Sequence, residues 1–152
     1  MGVINILESD EKFMKLALSL AEKGRGYVNP NPLVGAVIVK DGKVIGEGYH
    51  TAFGKSHAEI EAINSATEDI KGATMYVTLE PCTMCAGAIV QSRIRNLYFG
   101  AYEPKSGAVC SCNNIFDVKN GHNHKVEFEG GILEEECSNL MTSFFERLRL
   151  KP

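Results

Sequence analysis

Residues 34–49 read as two strands joined by a two-residue turn, and this hairpin limits the fold more than any other segment. Val34–Lys40 is an apolar, β-branched run, Asp41-Gly42 favours a tight turn with positive φ, and Lys43–Tyr49 returns antiparallel. Helix-like and strand-like segments alternate after it. Ser56 opens a helix to about Ala66, Thr74–Leu79 is a third strand, and Pro81 suits the first turn of a helix running to about Ser92. Asn96–Ala101 is a fourth strand, and residues 102–124 are poorly patterned, with some helix near Asn114–Val118. Lys125–Glu129 is a fifth strand, and a last helix over Leu133–Leu148 buries Cys137, Leu140, Met141, Phe144, Phe145 and Leu148. Ahead of the hairpin, Ser9 caps a first helix with Asp10 and Glu11 in its first turn. Phe13, Leu16, Ala17, Leu20 and Ala21 recur there at helical spacing, and Gly24 and Gly26 end it. This order predicts an α/β fold, a mixed five-stranded sheet with helices on both faces. More than twenty residues separate the fourth and fifth strands, room for a crossover, so strands 4 and 5 can run parallel.

A length of 152 residues suits one domain, 1–152, with a real core. No apolar run approaches a membrane span, and Met1–Asp10 lacks the features of a signal peptide. The expectation is a soluble, cytoplasmic protein with no membrane partner. Five cysteines, an odd number without an export signal, argue against a disulfide framework and for metal or structural thiols. A net charge of −3 supplies no global attraction for nucleic acid. The one basic cluster, Arg147, Arg149 and Lys151, reads first as a solvated helix end, where cations are favourable, and second as a local phosphate contact.

Pro81-Cys82-Thr83-Met84-Cys85 places a C-x-x-C pair at a helix start, where free N–H groups and the helix dipole favour thiolates. His57-Ala58-Glu59 stands upstream, also at a helix start. Two thiolates and an imidazole select zinc, and three protein ligands leave the fourth tetrahedral position open, as in catalytic sites. Zinc lowers the pKa of a bound water toward ~7. A carboxylate that does not ligate the metal can then move protons, and Glu59 is placed for that. Alternatives remain open residue by residue. C-x-x-C also serves redox pairs and structural zinc sites, the latter needing Cys110 and Cys112 in a poorer C-x-C spacing. Glu59, three residues after Ser56, could complete a capping box. Cys110, Cys112 and Cys137 read as structural, and His122 and His124 as a solvated turn.

H-x-E followed by P-C-x-x-C is a recognised signature of zinc-dependent deaminases, so matching it is recognition and not a derivation from spacing. Tyr76–Ile94, Phe99-Gly-Ala, Lys105-Ser-Gly-Ala, Asn123–Glu127, Gly131-Ile-Leu and Phe144-Phe145 resemble the bacterial tRNA adenosine deaminases. Asn29–Lys40 and Gly48–Gly54 resemble instead the deaminase domain of bifunctional riboflavin biosynthesis enzymes. The resemblance implies a three-layer α/β/α cytidine-deaminase-like fold with parallel strands 4 and 5, one Zn2+ per chain and a homodimer. It implies His57, Cys82 and Cys85 as ligands and Glu59 as the proton carrier. The chain departs from the tRNA enzymes at His50, where they carry an Asn that contacts the base, and at Gly54-Lys55-Ser56, where they carry Asp-Pro-Thr-Ala. It departs from the riboflavin enzymes in the close spacing of Cys82 and Cys85 and in ending at Pro152 without a reductase segment. Adenosine in a tRNA anticodon stem-loop is the first expectation for the substrate. A free nucleobase, nucleoside or riboflavin-pathway aminopyrimidine is the alternative, and a catalytically inactive zinc scaffold subunit is a second. Asn31 and His50 are candidates for reading the substrate; a turn-forming Asn and a hairpin-end His are their plainer readings.

Overall fold

The computed structural model describes residues 2–27, 32–52, 54–117 and 124–150. In chain order the elements are α1 (Gly2–Glu22), β1 (Gly35–Lys40), β2 (Lys43–Tyr49), α2 (Ala58–Asn64), β3 (Thr74–Leu79), α3 (Thr83–Gln91), β4 (Asn96–Ala101), β5 (Glu127–Glu129) and α4 (Glu134–Leu150). One sheet runs in the order β2-β1-β3-β4-β5. β1 is antiparallel to β2 and to β3, and β3, β4 and β5 are mutually parallel.

Period-two alternation sorts the side chains into two cores. Ala36, Ile38, Met75, Val77, Leu97 and Phe99 face one side, against Ala58 and Ala62 of α2 and Ala86, Ile89 and Val90 of α3. Val37, Val39, Tyr76 and the half-buried Tyr98 face the other, against Phe13, Met14, Ala17 and Leu20 of α1 and Cys137 of α4. The result is three layers, α/β/α, and it explains why β1 is apolar almost without interruption: both of its faces are covered. Because β1 is antiparallel to β3, the end of β2, the start of β1 and the ends of β3 and β4 share one edge of the sheet. α2 and α3 both begin there.

Gly48 sets how closely α2 approaches. A Cβ at this position would lie 2.4 Å from both the Ala58 carbonyl oxygen and the Ala62 nitrogen, so only a glycine lets the helix backbone rest on β2.

The hairpin, β3 and β4 fall where the pattern places them, and β4 and β5 are parallel as expected. Five local expectations are corrected. α1 begins at Gly2, so Ser9 is an exposed helix-interior residue and not a cap. Asp10 is used for tertiary contact instead, accepting a hydrogen bond from Tyr76 Oη at 2.6 Å while 5% exposed. α2 is capped by His57 and not opened by Ser56, and α3 is capped by Cys82, with Pro81 just outside the helix. Asn114–Asp117 forms turns and no helix, and β5 is shorter than Lys125–Glu129. Cys137 and Leu140 of α4 are buried as expected and Met141 is half-buried; the side chains of Phe144, Phe145 and Leu148 lie outside the described residues, as does Val118.

Gly48→Ala should destabilise the chain by about 1–3 kcal/mol through backbone overpacking and should weaken zinc binding, because α2 carries His57. Denaturant unfolding of the metal-free and zinc-loaded forms measures both effects.

Candidate active site

His57 and Cys82 are the N-cap residues of α2 and α3, in extended conformation, and neither makes a side-chain capping bond. The two side chains point instead at one another across the helix starts. His57 Nδ1 lies 3.7 Å from Cys82 Sγ and 3.4 Å from Cys85 Sγ, and these three atoms lie within 4.8 Å of each other. A zinc ion with sulfur at ~2.3 Å and nitrogen at ~2.0–2.1 Å in tetrahedral geometry requires nitrogen-to-sulfur edges of about 3.6 Å. The donor set therefore fits zinc both in chemistry and in spacing. Among the described residues this is the one group arranged to hold a metal ion; Cys110 and Cys112 are exposed elsewhere on the surface and do not join it.

The two thiols share their protons unequally. Cys82 is pushed down to about 5, chiefly by the hydrogen bond from the Cys85 thiol and by the neighbouring His57, against the effect of burial. Cys85 moves above the ordinary thiol range through the same bond and through burial. The shared bond thus favours the thiolate form at Cys82, where a cation would bind.

Glu59 lies in the first turn of α2, two residues after His57, and is 4% exposed. It stands outside the three-ligand group yet lines the same cavity. No capping box forms, since His57 and not Ser56 caps the helix and no side-chain cap bond is present. Burial pushes its carboxyl up to about 7, while its own backbone N–H, His57 and the Cys85 thiol act to lower it. A carboxyl so placed can both take and return a proton near neutral pH.

The cavity encloses about 200 Å³. That is below the roughly 300–1,000 Å³ of pockets for drug-sized molecules and suits a single ring system. Its walls include Pro32, Val34 and Leu79 on the apolar side and His50, Glu80, Glu103 and Ser106 on the polar side. His50, 4% exposed, is held by a 3.0 Å contact between its Nδ1 and the Ser56 carbonyl oxygen, and its ring stands edge-on to His57 at 5.8 Å. That carbonyl can only accept, so Nδ1 carries the proton. Asn31, the other substrate candidate, lies outside the described residues, as do His122 and Lys151 and the side chains of Arg147 and Arg149. His124 is not part of the cavity wall; its Nε2 lies 2.7 Å from the Ile94 carbonyl oxygen. Sequence reasoning missed Glu80, Glu103 and Ser106. Only the position of Glu80, directly before Pro81-Cys82, carried any signal.

Residues 7–101 match the cytidine and deoxycytidylate deaminase zinc-binding region. The chain belongs to this family of zinc deaminases. It is similar to the tRNA-specific adenosine deaminase of Haemophilus influenzae, with 45% identity over 152 residues, 93% of this chain and 86% of that protein. It is equally similar to the riboflavin biosynthesis protein RibD of Aquifex aeolicus, with 44% identity over 146 residues, 92% of this chain but 40% of that protein. A solved diaminohydroxyphosphoribosylaminopyrimidine deaminase/5-amino-6-(5-phosphoribosylamino)uracil reductase from Thermotoga maritima superposes with a TM-score of 0.79 at 43% identity, covering 94% of this chain and 42% of that one. The deaminase thus spans about two fifths of the two bifunctional relatives and most of the tRNA enzyme. No helix among its described residues is long and apolar enough to cross a membrane.

The raised carboxyl of Glu59 has a consequence for stability. Its pKa is about 7 in the folded metal-free chain against 4.5 when unperturbed, so between these values the folded state binds the extra proton. Stability from this group is therefore lost as pH rises through that window, by up to about 3 kcal/mol. In the metal-free protein Glu59→Gln should become progressively more stable than the native sequence from pH 4.5 to 7. Urea unfolding of both proteins at several pH values gives the difference; a difference independent of pH would contradict it.

Proposed function

We propose that the chain hydrolytically deaminates an amino-substituted nucleobase, and that its substrate is adenosine in a tRNA anticodon stem-loop. His57, Cys82 and Cys85 hold the metal and Glu59 moves the protons. The observation that carries this reading is a buried carboxyl, Glu59, outside the group of three donors but in the wall of the cavity that His57 and Cys82 also line. Zinc, when bound, supplies an acidified water as nucleophile. Glu59 would take one proton from the attacking water as its oxygen adds to the ring carbon, and deliver it to the adjacent ring nitrogen. The same carboxyl would then take the remaining proton from the added hydroxyl and pass it to the exocyclic amine, which leaves as ammonia as the C–N bond breaks and the C–O bond becomes a carbonyl. Pro32, Val34 and Leu79 exclude water around the base.

The tRNA substrate is supported by the stretch around Cys82 and Cys85 and by the extent of the similarity to the Haemophilus enzyme, 86% of its length. His50 favours a second reading, a small aminopyrimidine. It is buried in the cavity wall at the position where the tRNA enzymes carry Asn. We further propose that the enzyme works in the cytoplasm as a homodimer. Met84, 57% exposed on the outer face of α3, supports a second copy packing there.

Two experiments test this. Glu59→Ala should retain one zinc per chain and lose turnover by at least about a hundredfold. Metal analysis beside an ammonia-release assay decides it; loss of zinc would make Glu59 a ligand, and surviving activity would remove it from the mechanism. On a panel of stem-loop, nucleosides, bases and an aminopyrimidine ribose phosphate, the stem-loop should be turned over, with a KM that rises steeply with salt. A stem-loop left untouched beside rapid, salt-independent turnover of the aminopyrimidine would establish the second reading.

A further inference from the structure

Glu80 is the last residue before Pro81-Cys82 and is 3% exposed. Its carboxylate gathers donors from one loop. Oε2 accepts from the backbone N–H groups of Val109, Cys110 and Ser111 at 3.1, 2.8 and 2.9 Å. Oε1 accepts from the N–H of Glu103 at 3.1 Å and from the Ser111 hydroxyl. Five donors exceed the roughly four lone-pair directions of a carboxylate, so no capacity remains for substrate or water. The loop closes around this point. Gly107 N–H donates to the Glu103 carbonyl and Ala108 N–H to that of Pro81, both at 2.9 Å. A Cβ on Gly107 would fall 2.5 Å from both the Glu80 carboxyl and the Glu103 carbonyl oxygen, so the wrap tolerates only glycine there. Two residues of the loop, Glu103 and Ser106, reach the cavity that Glu59, His57 and Cys82 line.

The geometry points to Glu80 as a positioning residue for substrate selection: it folds residues 103–111 over the mouth of the cavity and sets Glu103 and Ser106 as the wall that meets the substrate. It lines the cavity, but its oxygens are spent on the protein, so it is not a second proton carrier. Burial alone would raise its pKa, but the hydrogen bonds from Cys110, Ser111 and Glu103 hold it below the ordinary carboxylate value, and it stays charged at neutral pH. The inference rests on the deaminase reading above but not on which base is deaminated, since the wall is built the same way for either.

Glu80→Gln is the test. An amide can keep the Oε2 bonds, but its NH2 then faces the N–H of Glu103, and that side of the loop is released. The variant should keep one zinc per chain. Hydrogen exchange of peptides covering 103–111 should accelerate by about tenfold, the loss of one charge-assisted bond. On whichever panel substrate the native chain turns over, KM should rise by about tenfold with kcat nearly unchanged, the pattern of lost binding and not of lost chemistry. Should this variant fail to fold, Glu80→Asp, which keeps the charge but withdraws it by one methylene, should show the same exchange and KM changes. Native exchange rates, faster exchange with an unchanged KM, or a fall in kcat accompanied by zinc loss would each overturn the proposal. Exchange is read without substrate, so failure there leaves the deaminase reading intact. Absence of turnover by the native chain would overturn that reading and this inference with it.

Discussion

His57 Nδ1 reaches the sulfur atoms of Cys82 and Cys85 at 3.7 and 3.4 Å although its partners lie 25 and 28 positions away in the chain. That approach depends on two helices starting at the same edge of the sheet. β1 runs antiparallel to β3, so the chain leaving β2 and the chain leaving β3 emerge together, and α2 and α3 begin side by side. Each helix places a ligand at its N-cap, where the side chain would otherwise bond to its own helix. The backbone N–H groups left at both starts favour negative charge, which steadies the Cys82 thiolate. Small residues do the rest. Ala58 and Ala62 of α2 and Gly48 of β2 bring helix and sheet into contact, and no bulkier set would bring His57 to its partners.

Most of this frame was legible because its signals are local. The hairpin rests on Asp41-Gly42, β3 and β4 on short β-branched and aromatic runs, and the parallel pairing of β4 and β5 on the length of the segment between them. The misses share a cause: a tertiary contact overrode a local preference. Ser9 looks like a cap, yet the helix runs through it, because Asp10 is held in the second core by Tyr76. Asn114–Asp117 is turned and not helical, and Ile115 N–H there bonds to the Ala108 carbonyl of the Glu80 loop. Ser56 and Glu59 carry the spacing of a capping box, and the structure uses His57 as the cap and Glu59 as a buried carboxyl.

The His57, Cys82 and Cys85 group was readable as a motif, because metal donors must be particular residue types at particular spacings. The rest of the cavity wall was not. Glu80, Glu103 and Ser106 come together only through the fold of a loop whose sequence has no periodicity. This is also where the two resemblances diverge. The N-terminal half supplies His50 and the C-terminal half supplies the ligand helix and the loop, and both line a single cavity.

The central claim is that one metal ion sits between His57, Cys82 and Cys85 with Glu59 beside it and unligated. X-ray absorption at the zinc edge of the purified protein tests this most directly. The account requires two sulfur atoms at ~2.3 Å with one nitrogen and one further light atom at ~2.0–2.1 Å, unchanged in Glu59→Ala. A shell of four sulfur atoms would mean that Cys110 and Cys112 are recruited to a structural site, and a light atom lost in the variant would mean that Glu59 binds the metal; either would contradict it.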